Sequence, residues 1–228
     1  VGAIVLLGIG WRLREKRPGY ALVLQGGGVG VLYLTVFAAT RVVPLLNPGM
    51  AFPLLVLICA LAAGLAVKQN APALAFTGSA GGFLAPILIS TGQGSHVALF
   101  SYYALLNAGI FAIAWFRAWR ALNLLGFVFT FGIATAWGVL RYQPSLLAST
   151  EPFLILFFLM YVSIALLTAL RRHVSLTNYV DGTLVFGTPL VAMGLQTGLV
   201  HHIPFAMAWS ATALAAFYLG IAGWLAPR

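Results

Sequence analysis

Few side chains here are equipped for chemistry, and their spacing narrows what they do. The acids are Glu15, Glu151 and Asp181. None lies in the middle of an apolar stretch, where a buried charge would mark ion coupling, a proton relay or intramembrane catalysis. Glu151 follows Ser149 and Thr150 and precedes Pro152, which reads as a capped helix start with an acid in its first turn. Asp181, ahead of Gly182 and Thr183, reads as another helix start within reach of Arg171 or Arg172. Three histidines, His96, His201 and His202, fall in loops of one parity and His173 in a loop of the other. A metal site needs three or four converging ligands, and adjacent histidines diverge in a helix or strand, so these read as interfacial polar residues. The expectation is no metal, no cofactor and no enzyme, since no nucleophile, base and acid are arranged together. Cys59, the single cysteine, sits in an apolar stretch and reads as a small buried hydrophobe.

Glycine carries more information. Gln25-Gly26-Gly27-Gly28 with Gly30 has the wrong spacing for a dinucleotide loop and lies inside an apolar stretch with no preceding strand. The pairs Gly26 with Gly30, Gly78 with Gly82, and Gly194 with Gly198 have the spacing that lets helix backbones approach closely in lipid. Two stretches combine glycine with proline. The fourth apolar stretch carries Gly78, Gly81, Gly82 and Pro86, and the eighth carries Gly187, Thr188, Pro189, Gly194 and Gly198. Interrupted helices in matching positions point to a transporter site, because broken turns free backbone groups to coordinate a substrate. The uncharged residues Gln25, Ser79, Gly82, Asn107, Thr188 and Gln196 either face such a cavity or are spent on helix-to-helix contacts.

The elements that must position these residues follow from composition. Of 228 residues, 62% are apolar and 7% charged, with mean hydropathy +1.02. Soluble domains run at about 45–50% apolar and about 25% charged, so too little polar surface exists to face water, and the surrounding medium is lipid. The net charge of +9 does not signal nucleic acid, because the bases are scattered between uncharged stretches rather than gathered in a patch. A hydropathy walk yields a first span to Trp11, then Ala21 to Val43, Met50 to Val67, Pro72 to Ser90, Val97 to Phe116, Leu122 to Leu140, Phe153 to Leu170, Thr183 to Val200, and Phe205 to Leu225. The fold class is therefore all-α, a polytopic transmembrane helix bundle of about nine spans with the first truncated. Residues 1–228 read as one transmembrane helical region, a fragment of a longer protein. Its partners are the lipid bilayer and other membrane proteins or further spans of the same chain.

Orientation comes from the bases, which short cytoplasmic loops retain. Loops of one parity hold Arg12, Arg14, Lys16, Arg17, Lys68, Arg117, Arg120, Arg171, Arg172 and Arg228; the other parity holds Arg41 and Arg141. This places the first set, and the end of the chain, in the cytoplasm.

Four stretches carry a family likeness: Leu24-Gln25-Gly26-Gly27-Gly28; Gly81-Gly82-Phe83-Leu84-Ala85-Pro86; Ala98-Leu99-Phe100 leading to Leu105-Leu106-Asn107; and Asp181 through Pro189. In them the chain resembles a bacterial family of large multi-pass membrane proteins known as domain of unknown function 2339. The resemblance implies the bacterial inner membrane and a longer parent protein. It supplies no activity, substrate or catalytic residue. The sequence thus points to a non-enzymatic membrane protein, structural or a subunit of an envelope assembly. The alternative is a transporter or lipid-handling protein with its site at the broken fourth and eighth helices.

Overall fold

The computed structural model describes residues 1–89, 95–117, 119–171 and 179–226, without the side chains of Pro48, Ala169, Arg171, Tyr179 and Asp181. All regular structure among them is helical. The proposed pairing of Asp181 with Arg171 or Arg172, together with His173 and Arg228, lies outside the described residues.

The chain begins with α1 (Gly2–Leu13), which packs along α2 (Pro18–Phe37). A π-helical turn, Ala38–Val42, extends α2, and its wider ring shows in the bond from the Val43 N–H to the Ala38 carbonyl. Then come α3 (Pro48–Gln69), α4 (Pro72–Ile89), α5 (His96–Phe116), α6 (Arg120–Arg141) and α7 (Leu147–Arg171). The eighth span starts with the short α8 (Tyr179–Gly182), passes through a π turn at Thr183–Gly187, and continues as α9 (Thr188–Val200). The last helix is α10 (Ala206–Leu225). Eight helices among the described residues are long and apolar enough to cross a membrane, with α1 shorter. Helices suit that medium because every backbone group must find its partner without water.

Local chemistry explains the boundaries. Asn47 caps α3 by accepting from the Gly49 N–H at 2.8 Å, with Pro48 entering the first turn. Asn70 ends α3 in the left-handed region at φ 51°, a conformation asparagine tolerates. Ser95 caps α5 through the Val97 N–H.

Two expectations need correction. The seventh span starts at Leu147 rather than Phe153, after a 3-10 turn at Pro144–Leu146. Glu151 therefore lies beyond the first turn and is not a helix-start acid. Hydropathy underrated Ser149, Thr150 and Glu151, because two of them meet partners on other helices: Ser149 with His96, and Glu151 with Gln196. Second, the fourth span is not broken. Helix α4 runs unbroken through Gly78, Gly81, Gly82 and Pro86. It sits at the centre of the bundle, against α2, α3, α5 and α6, and buries the largest share of any span. At the other extreme α10 buries none of its residues and packs on α9 and on Phe158 of α7.

Candidate functional site

Proline at position 86 has no N–H, so the carbonyl four residues back, on Gly82, loses its helical partner. The Tyr102 hydroxyl of α5 donates to that carbonyl at 2.8 Å. Its neighbour Tyr103 donates to the Phe83 carbonyl at 2.8 Å, and Tyr33 of α2 donates to the Gly78 carbonyl at 2.8 Å. Three phenols thus hold the backbone of α4, and the group that would be free for a substrate is occupied. The small residues admit them: a Cβ on Gly81 would lie 2.7 Å from the Tyr33 ring, and one on Gly78 would overlap Ala62 of α3.

The other candidates are also committed, each to a different contact. Gln25, fully buried, exchanges amide hydrogen bonds with Gln69 of α3 at 3.2 and 2.8 Å. Ser79 is buried on α4, and Cys59 of α3, half-buried rather than fully buried, packs beside it, with its sulfur 3.4 Å from where a Cβ on Gly82 would stand. Asn107 donates to Thr130 of α6 at 2.7 Å and accepts from the Tyr161 hydroxyl of α7, tying three helices at one fully buried point. Gly126 makes room there, since a Cβ would stand 2.6 Å from the Tyr161 hydroxyl. Thr188 bonds back to the Leu184 carbonyl at 2.6 Å, beside the π turn. Gln196 donates to Glu151 at 2.6 Å and to Ser210 of α10 at 3.2 Å. Such interhelical bonds average about 0.6 kcal/mol in a membrane.

Sequence reading missed Gln69 and the tyrosines. Pro86 was the available signal for Tyr102, because a missing N–H demands another donor for Gly82. Nothing local announces which neighbouring helix supplies it.

Of the three glycine pairs, only Gly78 with Gly82 packs as its spacing suggests. Against α1 it is Gly28 that makes the close approach, with a Cβ position 2.9 Å from Leu7, while Gly26 and Gly30 face open space. Gly194 and Gly198 also face open space. They border a cavity of about 490 Å³ between α6 and α9, backed by α7 and by Phe100 of α5, within the size range of small-molecule pockets. Its walls are almost wholly apolar. At one end the Tyr142 hydroxyl bridges α6 to the Leu199 carbonyl at 2.7 Å. Burial and the nearby Glu151 carboxylate hold that phenol above its ordinary pKa, so it stays a donor. Toward the other end Phe127 of α6 lies 3.5 Å from where a Cβ on Gly187 would stand, so α6 comes up close to the turn. The two helices therefore meet at both ends of the cleft and part between them. Thr150 of α7 lines this cavity; it is 6% exposed and its hydroxyl has no hydrogen-bond partner among the described residues. An unsatisfied buried hydroxyl costs about 1–3 kcal/mol.

The histidines stand apart from one another's ligand chemistry. His96 meets the Ser149 hydroxyl at 2.8 Å and stacks near Trp137, while His201 meets the Gly198 carbonyl at 2.9 Å. Among the described residues no three of His, Cys, Asp and Glu converge.

Against known proteins, the family described as predicted membrane protein (DUF2339) matches residues 1–228. The chain belongs to this family. No curated protein and no solved structure matches it. Membership agrees with the many apolar helices, and the family's description names no reaction or ligand.

Proposed function

We propose that this member of the family is a non-enzymatic integral protein of the bacterial inner membrane, structural or a subunit of an envelope assembly, with its Arg117 side in the cytoplasm. One observation carries the reading: the Asn107, Thr130 and Tyr161 network joins α5, α6 and α7 through side chains that are each almost wholly buried. Polar groups used in this way stabilise a bundle. The excess of cations at Arg117 and the loops of the same parity supports the orientation.

Two measurements test it. A cysteine at Arg117 is expected to react with a membrane-impermeant reagent only after lysis, and one at Ser145 in intact spheroplasts; reversed labelling overturns the orientation. Full-length protein extracted in native lipid is expected to migrate with another envelope protein at fixed stoichiometry. Migration alone, with turnover of any co-purified compound, overturns the assembly role.

A further inference from the structure

We infer that the cleft between α6 and α9 is a binding site for one acyl chain of an anionic phospholipid from the leaflet on the Arg141 side. The inference stands apart from the assembly role and is carried by three features of the cleft. The first is its chemistry. A cavity of about 490 Å³, walled by residues such as Phe153, Phe157 and Leu195, sits inside a span region whose surroundings are lipid, so an apolar chain is its natural filling. The second is the open space over glycine. Gly138 on α6 and Gly194 and Gly198 on α9 all line the cleft, and a Cβ on any of them would meet no atom within 4 Å. The spacing of a packing motif has been used here to widen a gap instead of closing one.

The third feature is polar and positioned by depth. Thr150 stands in the first turn of α7, near the membrane boundary, with its unpartnered hydroxyl in the cavity wall. That is the depth of a phospholipid's ester carbonyls, which accept a hydrogen bond from such a hydroxyl. Beyond it, Arg141 is exposed in the last turn of α6, flanked by the lining residues Gly138 and Tyr142. Among the described residues it makes no ion pair. Acyl chain, ester and phosphate thus each meet a matching group in order from the bilayer interior outward: aromatic and aliphatic walls, a hydroxyl, then a guanidinium.

The test is lipid retention by full-length protein, measured by native mass spectrometry after loading with phosphatidylglycerol or with phosphatidylcholine of identical chains. One phosphatidylglycerol is expected per chain. Arg141→Gln is expected to weaken its retention about fivefold, the scale of one cation near an anionic headgroup, and to leave phosphatidylcholine unchanged. Gly194→Leu, which fills the cleft, is expected to abolish retention while helicity and thermal midpoint hold. Should Gly194→Leu not fold, Thr150→Val serves in its place, since it removes the orphaned hydroxyl without adding bulk, and weaker retention supports the site. Retention that ignores headgroup charge and all three substitutions describes ordinary boundary lipid and overturns the inference.

Discussion

Helix α4 and the eighth span have the same ingredients, glycines spaced by four and one proline, and use them in opposite ways. Around α4 the glycines bring neighbours in: Ala62 of α3 lies against Gly78, and Tyr33 of α2 lies across Gly81. The carbonyl freed by Pro86 takes the Tyr102 hydroxyl, and the helix keeps its course. In the eighth span the proline follows a π turn, Thr188 turns its hydroxyl back on Leu184, and Gly194 and Gly198 look into a cleft. A glycine removes bulk from a helix face, but the neighbouring side chains decide whether a helix fills the space. Tyr33, Ala62 and Cys59 fit against α4; Phe127 and Tyr142 hold α6 against the eighth span at two separated points.

Substitutions sharpen this contrast. Gly78→Leu forces α3 from α4 and is expected to cost about 3 kcal/mol or more in reversible unfolding within bicelles. Gly194→Leu, its counterpart in the eighth span, is expected to stay within about 0.5 kcal/mol of the parent. Equal losses would remove the distinction between a packed and an open glycine face. Tyr102→Phe strips the donor from the Gly82 carbonyl, with an expected loss of about 1–2 kcal/mol. In a Pro86→Ala background the restored N–H takes that carbonyl, so the same change there is expected to cost less than half as much. An undiminished cost would show that the phenol does not compensate for the proline. Gln25→Leu is expected to lose about 1 kcal/mol by leaving Gln69 only its bond to the Leu65 carbonyl, whereas Gln25→Leu with Gln69→Leu returns most of it. A double variant as unstable as the single would mean the amides do not act as a pair. The smallest effect belongs to Glu151→Gln, which keeps an acceptor for Gln196 and is expected to shift unfolding by about 0.5 kcal/mol.

The spans were legible to within a few residues wherever apolar stretches had sharp polar edges. The apolar span Thr183–Val200 was read to the residue, although its helix begins at Tyr179, and the ends of the fifth and ninth spans moved by one or none. The seventh was read six residues short, because hydropathy counts Ser149 and Glu151 as exposed when both have partners on other helices. Glycine and proline were correctly recognised as special in α4, yet composition alone suggested a break. Whether a proline breaks a membrane helix depends on a donor arriving from elsewhere, here from a tyrosine twenty positions along the chain. The five polar candidates and Gly82 are all buried. Of the two roles their chemistry allowed, Gln25, Asn107 and Gln196 take helix-to-helix hydrogen bonds, with α3, with α6 and α7, and with α7 and α10.

Lipid makes span count and helical class readable from order alone, since each segment must close its own backbone hydrogen bonds and the apolar lengths report this directly. What remained for tertiary structure was the choice of partners: which phenol reaches Gly82, which amide meets Gln25, and which glycines are covered. Those are matters of side-chain reach and helix separation between segments distant in sequence. The same glycine spacing therefore closes the contact at α4 and leaves the cleft at α9 open.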